Sequence, residues 1–597
     1  MSIPERKDVN PQDTWALEDL FPSDAAWQAE LERAKAYPEQ VAAYEGRLGQ
    51  DAATLLAYVQ LDDEISLCFD ALVNYAFRRA DEDTRVALYQ SMSAQVMNLI
   101  SAVNAAGSFE TNELLAIPDE TLERFYQEVP ALAQYRRHFD TIRRKREHIL
   151  SPAEEKLLAQ ASRLTDDPDN IFSMLNDADM TFPPAVDAQG EEHPLTHGTY
   201  IPLMMSQDRA LRKSAFEHLY TVYGQFKNTL AATLAAQAKQ LWFFAEARRY
   251  PSARAAALDA TEVPESVYDN LIQAVHQNFP AMHRYTALRK ELLGVEELHF
   301  YDLYAPMVSD ADFSYTFDEA KELVLKALEP MGEDYLAIMR EGFANRWIDV
   351  YENAGKRSGA YSAGPKVHPY VLLNYQGTLN DVFTLIHEMG HSLHSYLSNQ
   401  SQPTVYSDYV IFVAEVASTC NEALLMEYLL KTTTDKRKRA YLINYFLEQF
   451  RTTLYRQTMF AEFELEVNQL AQSGQGVTAE VCCDLYRKLN ADYFGPAIVM
   501  DEEIALEWAR IPHFYYNYYV YQYATGYAAA IALSRRILSG TPGAVEDYLG
   551  FLKGGCSKDP IELLKGAGVD MSTPQPVNDA LQVFDGLIDE MRSLMQD

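Results

Sequence analysis

The sequence predicts a mostly α-helical protein with a small β-sheet just ahead of one helix near residue 390. Three observations carry that prediction. Residues 206–248 form a long periodic stretch with few helix breakers. Ser151-Pro152-Ala153-Glu154 is a compact helix start, with serine as N-cap, proline at the first helical position and glutamate placed to close a capping box. Strand signals are few and fall in two places only.

In chain order, residues 20–147 hold several helical stretches separated by short polar links. Residues 180–184 and 199–203 are expected to pair as a hairpin across a turn at Asp187-Ala188-Gln189-Gly190. Ser206, before Gln207-Asp208-Arg209, reads as the start of the long helix. The second strand set is Gly359-Ala360-Tyr361-Ser362 and residues 368–375, ending at Gly377. The run from Tyr370 to Tyr375 is short, apolar and β-prone. Beside a functional helix it is either a peptide-binding strand, pairing a substrate along Val371 to Asn374, or an ordinary buried strand. The helix that follows shows an apolar stripe of Val382, Phe383, Leu385, Ile386, Met389 and Leu393, with Asn380 or Asp381 as N-cap. The small-residue run at 526–533 reads as a tightly packed helix, too short to span a membrane.

Composition narrows the function. A chain of 597 residues exceeds what one core holds, so two or more subdomains are expected, and a 48% hydrophobic content fills them. A net charge of −35 opposes binding to a phosphate backbone and excludes nucleic acid as partner. No apolar leader and no run of 18 apolar residues is present, so a cytoplasmic protein with no membrane partner is expected. Cys68, Cys420, Cys482, Cys483 and Cys556 are odd in number, widely spaced and without a CxxC pair. They predict reduced thiols, not a disulfide framework or a cysteine metal site.

Chemistry concentrates at His387-Glu388-Met389-Gly390-His391. Positions i and i+4 share a helix face, so both imidazoles can reach one metal ion. Glu388 stands where it can take a proton from a metal-bound water. A catalytic zinc takes three protein ligands, so one more is needed. The apolar stretch from Phe412 to Glu422 carries acids at 415 and 422, seven apart and on one face, with small residues at 414, 417 and 418 for close packing. Glu415 is the expected third ligand, and Glu422 the acceptor for a ligand imidazole N–H. Asp408 is a rival ligand in a predicted loop, and His394 is expected to pack rather than bind metal. Residues 510–527 contain seven tyrosines around His513. Tyr516, Tyr519 and Tyr523 read as one helix face whose hydroxyls, with the His513 N–H, can donate to a developing oxyanion. An aromatic helix core is the competing reading.

These motifs together resemble oligoendopeptidase F, in the thimet oligopeptidase superfamily of zinc metallopeptidases. The resemblance runs over nearly the whole chain. It rests on His387 to His391, on Phe412 to Glu422, on Arg510-Ile511-Pro512-His513-Phe514-Tyr515-Tyr516 through Tyr523, and on Gly555 to Met571. Ala417, where the mammalian branch has proline, fits the bacterial branch. The resemblance implies a multi-helical, two-lobed ellipsoid with a deep central channel that admits unfolded oligopeptides. It also implies an N-terminal helical region over 1–195 and a zinc-peptidase region over 196–597 with C-terminal helices completing the channel. It assigns zinc to His387, His391 and Glu415, catalysis to Glu388, and transition-state and substrate contacts to His513 and Tyr523, with Tyr516 and Tyr519 beside them.

The expected activity is a zinc-dependent endopeptidase, one Zn2+ per chain, that hydrolyses internal bonds of short unfolded peptides with a zinc-bound water activated by Glu388. Its partners are oligopeptides, and the chain acts as a monomer or small homo-oligomer. An HExxH aminopeptidase would need acids to hold a substrate amine, and no GxMEN-like motif is present. A helical binding protein with a silent zinc site is the non-enzyme alternative.

Overall fold

The structure is a computed structural model that describes residues 3–308, 311 and 313–596. The longest helices, in chain order, are α1 (Ala52–Glu82), α2 (Ala87–Ala106), α3 (Arg209–Ala247), α4 (Leu379–Ser401), α5 (Ile411–Thr432), α6 (Arg456–Gln472), α7 (Tyr521–Leu538) and α8 (Gln575–Gln596). The strands are β1 (Ala185–Val186), β2 (Glu192–His193), β3 (Ile348–Asp349), β4 (Tyr361–Ala363) and β5 (Tyr370–Leu372). The mostly α class with a small sheet beside the HExxH helix is therefore what the chain adopts. It divides into two units. One is Met1–Glu147, Phe313–Leu425 and Leu533–Gly568; the other is His148–Asp312, Met426–Ala532 and Val569–Asp597.

In the first unit, Asp51 starts α1 by accepting the Thr54 N–H at 2.8 Å. Leu55 and Leu72 of α1 and Met92 and Val96 of α2 are buried in one core with Trp15 and Trp27. The three-stranded sheet runs β3-β5-β4, with β5 in the middle, parallel to β3 and antiparallel to β4. Tyr370 and Leu372 of β5 join the same core. Behind the sheet, Lys356 pairs with Asp349 at 2.7 Å, both side chains fully buried. Lys356 also donates to the backbone oxygens of Tyr351 and Leu373, so its charge is compensated on several sides. The predicted strands at 359–362 and 368–375 are thus real but shorter, and β3 went unforeseen because two residues carry no periodicity.

The second unit is built along α3, whose 39 residues match the predicted helix over 206–248. Its N-cap is Asp208, not Ser206: the Asp208 carboxylate accepts the Ala210 N–H at 2.8 Å, while the Ser206 hydroxyl accepts the Asp208 N–H at 3.1 Å. The predicted hairpin is corrected too. Its turn is right, but β1 pairs with β2 as Ala185–His193 and Val186–Glu192. Residues 199–203 instead lie in a helix, His197–Met204, because Thr196 caps it in a reciprocal box with Thr199. The capping box at Ser151 and Glu154 forms as predicted. All five cysteines are free thiols. Among the described residues no helix is long and apolar enough to cross a membrane.

Candidate metal centre and aromatic group

The N-cap of α4 lies two residues before Asn380. It is Thr378, accepting the Asp381 N–H while the Asp381 carboxylate returns to the Thr378 N–H at 2.8 Å. The predicted stripe is the buried face: Val382, Leu385, Ile386, Met389 and Leu393 expose nothing to solvent. That face fixes the rotation of the helix, and with it the direction of His387, Glu388 and His391.

α5 crosses α4 at Gly390. A Cβ on Gly390 would stand 2.6 Å from the Ser418 Cα and 2.9 Å from the Ala417 oxygen, so only glycine permits this approach. Buried Asn421 bridges the pair, donating to the Ile386 oxygen at 3.4 Å and accepting the Tyr335 hydroxyl at 3.0 Å. The approach brings Glu415 onto the two histidines. His387 Nε2 and Glu415 Oε2 are 3.3 Å apart, His391 Nε2 and Glu415 Oε2 3.4 Å, and the two Nε2 atoms 3.2 Å. Around a zinc ion with bonds of about 2.0–2.2 Å, tetrahedral donors stand about 3.3–3.6 Å from one another. The three atoms therefore fit one face of such a tetrahedron. Among the described residues they are the group placed to hold a metal ion.

The electrostatics fit a cation. Glu422 Oε1 accepts a short hydrogen bond from His387 Nδ1, which fixes the tautomer and frees Nε2 as a donor atom. Burial alone would lower the His387 pKa, but Glu415 and Glu422 outweigh it and push it up to about 10. Burial would raise Glu415, yet the two histidines hold it well below the usual carboxylate range. Glu388 is buried, and that burial raises its pKa, with both histidines opposing and Glu415 and Glu422 adding to it. A carboxyl tuned upward is suited to taking and returning a proton.

Asp408 does not join the donor group; its carboxylate accepts the Tyr409 N–H at 2.8 Å. His394 packs as expected, buried and stacked on Tyr409 with ring centres 3.7 Å apart. Val371 and Asn374, the expected substrate-pairing positions, are both engaged within the chain. Val371 lies on the central strand, its N–H donating to the Trp347 oxygen at 2.7 Å and its oxygen accepting Trp15 Nε1 at 2.7 Å. The Asn374 amide donates to the Arg357 and Gly359 oxygens. The outer strand on this side is β4, held to α4 by Ser362 Oγ and Ser392 Oγ at 2.8 Å.

The aromatic segment lies in the second unit and divides in two. Tyr515, Tyr518, Tyr521 and Tyr527 are buried core residues; Tyr515 stacks on Phe172 and bonds Thr233. His513, Tyr516, Tyr519 and Tyr523 instead form one ring cluster, with centroids 5.4, 6.5 and 6.0 Å from His513. They do not share a helix face, as the seven-residue spacing suggested. Residues 512–515 form a 3₁₀ turn, Asn517 and Tyr518 adopt left-handed φ values of 55° and 56°, and α7 begins only at Tyr521. The cluster is made by a bent loop. Burial, with Arg456 nearby, lowers the His513 pKa, favouring a neutral imidazole.

The chain is similar to known peptidases over nearly all of its length. Residues 202–583 match the model of peptidase family M3, and residues 113–182 match that of oligopeptidase F. Oligopeptidase PepF of Bacillus subtilis is 47% identical over 99% of this chain and 89% of its own length. Group B oligopeptidase PepB of Streptococcus agalactiae is 41% identical over 99% and 98%. Among solved structures, oligoendopeptidase-F from Enterococcus faecium superposes with a TM-score of 0.75 at 40% identity, covering 96% of this chain and 99% of its own. A peptidase from Chlamydophila abortus superposes with a TM-score of 0.94 at 36% identity, covering 99% and 100%. The chain belongs to peptidase family M3, among the oligopeptidases of the oligopeptidase F kind.

Proposed function

We propose that this peptidase is a zinc-dependent endopeptidase that cuts internal bonds of short unfolded peptides. The observation that carries the reading is the set of three donor atoms 3.2–3.4 Å apart on α4 and α5, with buried Glu388 between the two histidines in sequence. A divalent metal held there by His387, His391 and Glu415 supplies a Lewis acid that acidifies water and polarises a carbonyl. Glu388 takes the proton of the attacking water and returns it to the leaving amine. Glu422 holds His387 in the tautomer that presents Nε2. His513 and Tyr523 donate hydrogen bonds to the oxyanion that develops on the scissile carbonyl, with Tyr516 and Tyr519 contacting substrate. An extended substrate pairs with outer strand β4 rather than with β5, whose two edges are taken. A cytoplasmic setting fits the five free thiols.

The test is cleavage of an internally quenched peptide, blocked at both ends, with and without chelator and with zinc restored. Chelator-sensitive internal cleavage is expected; cleavage only of peptides with a free amino terminus would replace this reading by an aminopeptidase. Glu388→Gln should keep its zinc and lose about 10²–10⁴-fold in kcat. Full activity in that variant would remove Glu388 as general base.

A further inference from the structure

Glu464 lies on α6, in the core of the second unit, and is 3% exposed. Its Oε1 accepts the backbone N–H of Tyr518 at 2.6 Å. Its Oε2 is buried and has no hydrogen-bond partner. No basic side chain bonds this carboxyl among the described residues. A buried acid without a cation is costly unless it does something that a leucine would not.

What it touches is the bend of the aromatic segment. Asn517 and Tyr518 are consecutive non-glycine residues with φ of 55° and 56°, a conformation that L side chains avoid and that persists only where surroundings enforce it. Three enforcing contacts are visible. The Tyr518 ring is buried edge-on against Tyr268 with centroids 5.7 Å apart. The Tyr268 hydroxyl donates to the Ala461 oxygen, one turn from Glu464 on the same helix, at 2.5 Å. The third contact is the Glu464 hydrogen bond itself, which satisfies an amide that the left-handed turn would leave buried and unpaired.

The bend decides where the neighbouring rings go. Tyr516 precedes it and Tyr519 follows it, yet their centroids lie 6.3 Å apart, and Tyr523 meets Tyr519 edge-on at 5.3 Å. A continued helix would also align 516, 519 and 523, but the chain is not helical at 517–518, so the bend sets where these rings stand relative to His513 and to α7. We infer that Glu464 is a positioning residue: through the Tyr518 amide it holds the left-handed bend that gathers His513, Tyr516, Tyr519 and Tyr523 into one donor cluster. This rests on the role proposed above for His513 and Tyr523.

The experiment compares Glu464→Leu, Glu464→Gln and wild type, each loaded with zinc. Glutamine keeps an acceptor at Oε1 and leucine does not. With the quenched peptide, Glu464→Leu should lose about 10–100-fold in kcat with KM changed by less than about 3-fold, because a displaced donor is missed mainly in the transition state. Glu464→Gln should keep at least about half of the wild-type kcat. Hydrogen exchange of the peptide spanning residues 515–520 should be slow in wild type and Glu464→Gln and fast in Glu464→Leu. Wild-type kcat or unchanged exchange in a folded Glu464→Leu would overturn the inference, as would equal losses in the two variants. If Glu464→Leu does not fold, Glu464→Met serves in its place. Activity retained in His513→Ala and Tyr523→Phe would instead overturn the role of the cluster, while the exchange data would still judge Glu464.

Discussion

At the scale of the residue, the metal centre depends on one atom of each side chain pointing the right way. His387 has two ring nitrogens, and Glu422 decides between them by taking the proton on Nδ1. Glu422→Gln keeps the shape but lets the amide flip, so the tautomer is no longer imposed. Zinc affinity should fall about 10–100-fold, read by competition with a chromophoric chelator. An unchanged affinity would mean that packing alone orients the imidazole. The sequence disclosed this pair because 415 and 422 share a helix face and an acid on an apolar face must be paired. It did not disclose the role of Glu464, since a single acid in an apolar helix has no spacing partner, and its target is a backbone amide that no pattern marks.

At the scale of the element, the site is a close crossing of two helices, and Gly390 sets the distance. The expectation of close packing was laid on the small residues of α5, at 414, 417 and 418. The decisive small residue is Gly390 on α4, inside the histidine motif, where the spacing of the metal ligands carries no mark of a steric role. Gly390→Ala must push Ser418 and Ala417 away by several tenths of an ångström or more. Overpacking of this kind costs about 1–3 kcal/mol, so a lower Tm is expected, and the separation of Glu415 from the histidines should weaken zinc binding as well. A variant with unchanged Tm and zinc content would show that the crossing relaxes freely. Helices were legible because their apolar stripes and caps repeat. The two-residue strands and the 3₁₀ and left-handed turns at 512–518 were not, because they are set by tertiary partners such as Trp15, Tyr268 and Glu464 rather than by local pattern.

At the scale of the whole molecule, the same buried carboxyl gives folding stability a pH dependence whose sign can be worked out. Burial pushes Glu464 up from 4.5 to about 8, with the Tyr518 N–H opposing. The phenols of Tyr268, Tyr518 and Tyr521 face it, and the Arg254 guanidinium is engaged by Glu265 and Asp269. An acid whose folded pKa lies above its unfolded value holds its proton more tightly in the folded chain. Its contribution is therefore full below about pH 4.5 and is lost as pH rises through about 8. Between pH 6 and 9 the loss is roughly 2–3 kcal/mol. Glu464→Gln cannot ionise, so its melting curve lacks this term while every other titrating group is shared with wild type. Thermal unfolding of the two proteins across that range should show Tm values that separate as pH rises, with the wild type falling faster. Parallel Tm profiles would mean that the carboxyl finds a compensating partner when it ionises, and the neutral acid would lose its place in the account of the bend. Divergent profiles would tie one buried proton both to the stability of the chain and to the loop that gathers its aromatic donors.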